Sequence, residues 1–257
     1  MNKPTILVTN DDGISAPGIG HLVKLMKQLG DVLVVAPNSP QSGKGHAITL
    51  EEPLRVYQKE VFDDVEAWEC TGTPVDCVKL ARNVIFKHKK IDLCVSGINH
   101  GSNAGINIIY SGTMSAAMEA SLEQIDSIGF SLCDFAYDAD FSHADDYVLK
   151  ITKAVLEKKL GGSRLLNVNI PKKSSEGING IKVCRQGEGN WEEEFVEGKD
   201  PRGRKYYWMS GHFIQQDHMK DTDLWALSQN YISVVPSTSD LTDYKQLINV
   251  NELLNET

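Results

Sequence analysis

The chain has 257 residues, 41% hydrophobic and 24% charged, with a formal net charge of −9. This is the composition of an ordinary globular protein, long enough for one large α/β domain. Its acidity excludes a broad basic footprint for a nucleic acid polymer, and no apolar run approaches the roughly 20 residues of a membrane span.

Met1-Asn2-Lys3-Pro4 leads directly into a strand with no signal-peptide pattern, so a cytoplasmic protein is expected. Ile6-Leu7-Val8 suits a strand buried on both faces, and the chain turns abruptly polar at Asn10, Asp11, Asp12 and Gly13, where that strand would end. Ligands of open α/β sheets bind outside the carboxyl ends of the strands. Adjacent carboxylates there repel unless a cation or a proton lies between them, although a solvated Asp-rich turn is the plainer reading. Ser15-Ala16-Pro17-Gly18 predicts the start of a helix running over 21–29, with Gly30 as its stop and His21 as a surface or capping residue. Residues 32–37 read as a second buried strand, so the order is β-α-β and the sheet parallel.

A polar loop over 38–46 follows, holding Ser42 and Gly43. Residues 47–57 alternate enough to suggest strands, interrupted at Glu51-Glu52-Pro53, and 65–70 suggests another. Thr73, Pro74 and Asp76 have the pattern of an N-cap, a first helical proline and a first-turn acid, for a helix reaching about Lys87. Residues 91–97 predict a buried strand ending in a loop rich in Asn and Gly over 98–105, and Ser111-Gly112-Thr113 opens a small-residue helix over 114–122. Strands are expected at 127–132 and 165–170, around an amphipathic helix over 147–160. Beyond about residue 180 Gly, Glu and aromatics become frequent. Asp200-Pro201-Arg202-Gly203 has β-turn chemistry, so Phe195-Val196 and Tyr206-Tyr207-Trp208 belong to a hairpin that packs on its own core or on a partner. Asp221-Thr222-Asp223 caps a short helix containing Trp225, and 231–236 is a final strand.

Three loops at the ends of parallel strands carry oxygen donors: Asp11 and Asp12, Ser42, and Asn99. Two carboxylates, a hydroxyl and an amide carbonyl suit a hard divalent cation, Mg²⁺ or Mn²⁺, better than zinc. The five cysteines lack C-x-x-C pairing, so neither zinc nor a disulfide framework is expected. Ser111, Gly112 and Thr113 at a helix start, with Gly43, offer N–H groups to a phosphate, although such residues are ordinarily caps. No G-x-G-x-x-G follows the first strand, and Gly43-Lys44-Gly45 is not a Walker motif, which argues against a dinucleotide enzyme or P-loop ATPase.

Val8-Thr9-Asn10-Asp11-Asp12-Gly13, Val35-Ala36-Pro37 with Ser42-Gly43, Gly72-Thr73-Pro74-Val75-Asp76-Cys77-Val78, Ser96-Gly97-Ile98-Asn99-His100-Gly101 with Asn103 and Gly105, and Tyr110-Ser111-Gly112-Thr113 occur in one order. With Asp200-Pro201-Arg202-Gly203 and Tyr206-Tyr207-Trp208, the set resembles the SurE family of stationary-phase survival proteins over nearly the whole chain. The resemblance implies a metal-dependent phosphatase for nucleoside 5′- and 3′-monophosphates, with exopolyphosphatase activity in some members. It implies a Rossmann-like core over about 1–180 within a single domain of 1–257. It also implies a homodimer or homotetramer formed through the hairpin and C-terminal segment, about 181–257. The family's metal ligands fall on Asp11, Asp12, Ser42 and Asn99, for one cation per subunit, with Asp11 or Asp12 orienting or deprotonating water. Asn10, Gly43, Asn103, Ser111, Gly112 and Thr113 are the candidate phosphate and substrate contacts, and His100 either meets substrate or packs its loop. Two departures leave substrate preference open: Asn38-Ser39-Pro40-Gln41 where many members carry basic residues, and Asn107 where aspartate is common. Direct attack by water is favoured over an aspartyl-phosphate, because the D-x-D-x-T pattern is missing. A nucleotide- or metal-binding stress protein with negligible turnover is the alternative. A Mn²⁺-dependent glycosyltransferase fits less well, since its acids are spaced D-x-D.

Overall fold

The structure, a computed structural model, describes residues 3–136, 138–162 and 164–255. The expected span of 1–257, and the opening Met1-Asn2, run past the described residues. The chain begins β1 (Thr5–Thr9), α1 (Pro17–Met26), β2 (Asp31–Pro37), β3 (Val56–Lys59), β4 (Glu66–Cys70) and α2 (Pro74–Leu80), the last continued by a π-helical turn over Ala81–Ile85. It proceeds through β5 (Leu93–His100), α3 (Gly112–Leu122), β6 (Ser127–Leu132), α4 (Asp145–Lys158), β7 (Leu165–Ile170) and β8 (Ile181–Val183). The hairpin β9 (Gly189–Lys199) and β10 (Lys205–Gln215) follows, then α5 (Asp223–Ser228), β11 (Ile232–Ser237) and α6 (Leu247–Asn255).

One sheet runs β3-β4-β2-β1-β5-β6-β7-β11-β8, parallel from β4 through β7. At its edges β3 runs antiparallel to β4, and β11 antiparallel to β7. Period-two alternation sends Ile6 and Val8 of β1 to the face covered by α1 and α4, and Leu7 to the face covered by α2 and α3. All three are fully buried, each contributing about 2 kcal/mol of transfer free energy. From β1 the chain crosses to β2 on one side, and from β5 to β6 on the other. The β1–β5 junction is therefore the topological switch point, where a crevice opens at the carboxyl edge.

The expected Rossmann-like, mostly parallel architecture and the hairpin are present, and the differences have local causes. Of 47–57 only the last part is strand. Ala47 and Thr49 are held by side chains instead, Thr73 Oγ1 donating to Ala47 O at 2.7 Å and Thr49 N to Asp76 Oδ1 at 3.2 Å. Thr73 and Asp76 form the capping box that the pattern predicts, but α2 widens into its π turn before Lys87. β5 continues past Gly97 by shifting register, so Asn99 and His100 pair with Ser131 and Leu132 rather than lying in a loop. β8 and α6 have no counterpart in the expectations. No helix of the described residues is long and apolar enough to cross a membrane.

Candidate active site

Asn10 closes the turn after β1 on itself. Its Nδ2 donates to Gly13 O at 2.9 Å and its Oδ1 accepts from Gly13 N at 3.2 Å. Gly13 sits at φ +100°, a conformation costly for residues with a Cβ. The turn presents Asp11 to α3 and Asp12 to an open cleft. Asp11 is buried, and Thr113 Oγ1 donates to its Oδ1 at 2.5 Å. The first turn of α3 abuts it so closely that a Cβ on Gly112 would lie 2.7 Å from Asp11 Cβ. Burial pushes the Asp11 carboxyl up to about 6; the Thr113 hydrogen bond opposes this and the charge of Asp12 adds to it. Burial also raises Asp12, with His100 opposing.

Asp12 Oδ2 is buried with no hydrogen-bond partner among the described residues. An unpaired buried carboxylate oxygen is costly, and a cation satisfies it. His100 lines the same cleft with its ring edge-on to Phe141. Its Nδ1 lies 2.9 Å from Ala136 O, which can only accept, so Nδ1 carries the proton; Nε2 is buried and unpartnered. The cleft, about 420 Å³, is walled by the turn from Asp12 to Pro17, by Asn38, Ser39 and Pro40, and by His100.

Loop 38–46 is drawn to the same point: Asn38 N donates to Cys70 O at 2.8 Å, Gln41 N to Asp11 O at 2.7 Å and Gly45 N to Tyr110 O at 3.2 Å. Ser42 and Gly43 thus follow directly on a residue bonded to the backbone of Asp11, and both are exposed. Asn99 commits Nδ2 to Gly101 O at 2.9 Å, which turns its carbonyl oxygen into the available donor for a metal. The structure therefore brings the loops of Asp11, Asp12 and Ser42 and the end of β5 with Asn99 to one edge. Among the described residues no three His, Cys, Asp or Glu side chains gather as a metal cluster. Two carboxylates with neutral oxygens, one of them orphaned, fit a hard divalent cation.

Four expected contacts have other commitments. The Asn10 amide shapes its turn. Asn103 is buried, its Nδ2 donating to Ser131 Oγ at 2.7 Å. The Ser111 hydroxyl caps α3, accepting from Met114 N at 3.0 Å, and that of Thr113 serves Asp11. What α3 offers an anion is the backbone N–H set of its first turn.

Several supporting residues escaped the sequence reading. Asn169 Oδ1 accepts from Asn103 N at 2.8 Å, and Asn167 Nδ2 donates to Asn103 O at 2.9 Å. Two asparagines two apart in an otherwise apolar strand were the available signal. Asp223, fully buried, accepts from Gly105 N at 2.9 Å, Gly187 N at 2.8 Å and Leu224 N at 2.8 Å. Trp191 Nε1 donates to Asn107 Oδ1 at 2.8 Å, so Asn107 is tied to the base of the hairpin.

Together these features define a doubly wound α/β protein with an acidic, oxygen-rich crevice at its switch point, beside a helix N-terminus. The chain belongs to the SurE family: the Survival protein SurE family matches residues 6–193. It is 54% identical over 252 residues to the protein named 5′-nucleotidase SurE of Flavobacterium psychrophilum, covering 98% of both chains. It is 57% identical over 243 residues to the protein of that name from Christiangramia forsetii, covering 93% of both. The crystal structure of the SurE protein from Aquifex aeolicus superimposes with a TM-score of 0.82 at 40% identity, over 98% of this chain and 100% of that one.

Proposed function

We propose that this chain is a divalent-cation-dependent 5′-nucleotidase, a phosphoric monoester hydrolase that converts nucleoside monophosphates to nucleoside and phosphate and accepts 3′-monophosphates at the same centre. The observation that carries this reading is the Asp11–Asp12 pair, one carboxylate locked by Thr113 and the other holding a buried oxygen without a partner beside an open cleft. The relatives that bear the name 5′-nucleotidase support the substrate class.

Asp11, Asp12, Ser42 Oγ and Asn99 Oδ1 would hold one Mg²⁺ or Mn²⁺ per subunit. When bound, such a cation supplies Lewis acidity toward a phosphate oxygen and acidifies water. The backbone N–H groups opening α3, with Gly43, hold the remaining phosphate oxygens by position and partial charge. Asp12, facing the cleft, orients the attacking water, while Asp11 keeps the centre rigid through Thr113. The cleft takes the nucleoside, and among the described residues its wall carries no lysine or arginine. The exposed apolar residues of the hairpin support a homodimer or homotetramer.

The test is phosphate release from a panel of nucleoside 5′- and 3′-monophosphates and short polyphosphate, after chelation and again with Mg²⁺ or Mn²⁺ restored. Metal-restored release that falls more than about 100-fold in Asp12→Ala is expected, beyond the loss typical of residues that only support a ligand. Mn²⁺ binding without release from any substrate would make the chain a binding protein.

A further inference from the structure

Ser42 and Gly43 form an exposed tip spanned by the bond from Lys44 N to Gln41 O at 3.3 Å. Such a tip does not hold a ligand in place by itself, so its position depends on the two arms. The near arm is bonded to Asp11 through Gln41. The far arm is fastened by the backbone bond from Gly45 N to Tyr110 O and beyond it by side chains, the first of which is His46. Its Nε2 lies 3.0 Å from Glu119 Oε2. A carboxylate only accepts, so Nε2 carries the proton. Glu119 Oε1 is taken by Lys79 Nζ, and the Glu119 side chain is only 5% exposed.

Glu119 lies seven residues along α3 from Gly112, which at 3.6 residues per turn puts both on one face. One rigid helix therefore holds Asp11 at its first turn, through Thr113, and the arm of Ser42 two turns later, through Glu119. Against burial, the hydrogen bond from His46 and the ion pair with Lys79 both hold the Glu119 carboxyl low, and of the two only the His46 bond reaches the loop. What it adds is the placement of the loop.

We infer that His46 and Glu119 are positioning residues, a latch that sets the Ser42–Gly43 tip against Asp11 and thereby fixes the affinity for the divalent cation. Neither touches the cation or the substrate. The inference rests on the metal-dependent reading above.

The experiment measures Mn²⁺ affinity, from the electron paramagnetic resonance signal of the free ion and from Mn²⁺-dependent Tm, alongside the metal-free Tm. The unsubstituted chain is compared with His46→Ala, His46→Gln, Glu119→Gln and the His46→Ala/Glu119→Gln double variant. His46→Gln keeps a donor at about the same reach, and its affinity is expected to match the unsubstituted chain. His46→Ala and Glu119→Gln should each weaken binding about tenfold, the lower end of outer-shell effects. The double variant should be no weaker than the poorer single, because both remove one bond. Excess Mn²⁺ should recover phosphate release. His46→Ala with unchanged affinity, or with only a lowered metal-free Tm, overturns the latch. Because His46 is on a surface loop, that variant tests the latch even where Glu119→Gln fails to fold. If the unsubstituted chain binds no Mn²⁺, the metal-dependent reading falls and the latch with it. Binding by the unsubstituted chain and by His46→Ala alike overturns the latch alone.

Discussion

Asp11 is ionised only against its surroundings. Its folded-state pKa of about 6 lies above the 3.8 of an unperturbed aspartate, so the folded, metal-free protein binds this proton more tightly than the unfolded chain does. The resulting stabilisation is full below about pH 4 and lost as pH rises through about 6, a difference of at most about 3 kcal/mol. Metal-free Tm should therefore fall from pH 4 to 7 more steeply in the unsubstituted chain than in Asp11→Asn. The Tm gained on adding Mn²⁺ should grow over the same range, since the cation competes with the proton. Equal slopes in the two proteins would refute the assignment. Gly112→Ala tests the other side of Asp11: with 2.7 Å available for a Cβ, the variant should lose about 1–3 kcal/mol in denaturant unfolding and most of its phosphate release. Asp11 and Asp12 were legible because adjacent carboxylates after a buried strand are a local pattern. That the Asn10 amide folds back onto Gly13 was not legible, because such a bond leaves no mark in composition.

At the scale of elements, the buried carboxylate of Asp223 joins three segments: the loop at Gly105, the approach to β9 at Gly187, and α5. Asp223→Asn replaces one acceptor oxygen with an NH₂ that faces an N–H. A loss of about 2 kcal/mol is expected, with faster amide exchange at Gly105. Exchange unchanged at Gly105 would show that the loop is held by Asn167 and Asn169 instead. The sequence carried the N-cap at Asp221-Thr222-Asp223, but only as the start of a helix. That Asp223 also serves two distant N–H groups depends on chain crossings that no local pattern encodes. The same reason explains β5: its extension to His100 is decided by Ser131 and Leu132 of β6, not by its own residues.

For the whole molecule, the hairpin is the feature one chain leaves unfinished. Tyr207, Trp208 and Met209 are exposed at 58%, 69% and 73%, although adjacent strand residues point to opposite faces. Both faces of the ribbon are thus apolar, and a lone two-stranded ribbon is marginal in water. None of α6 is buried either, and Leu247, Ile248, Leu253 and Leu254 are exposed. Replacing Trp208 and Met209 together by Ser should reduce the mass seen by light scattering to that of one 28.4 kDa chain, without unfolding the nine-stranded sheet. An unchanged mass would place subunit contact elsewhere.

The sequence by itself determined the parallel α/β core, the capped helices, the acidic turn after β1 and the hairpin. Each of these follows from periodicity or turn chemistry within a few residues. The tertiary structure alone decided which side chains are committed and which are free: Thr113 to Asp11, Asn103 to Ser131, Glu119 to both His46 and Lys79, and Asp12 Oδ2 to nothing. Those outcomes join residues from 28 to 102 positions apart in the chain. Only the closing of the sheet brings them within hydrogen-bond range, and burial then makes each pairing, or its absence, energetically decisive.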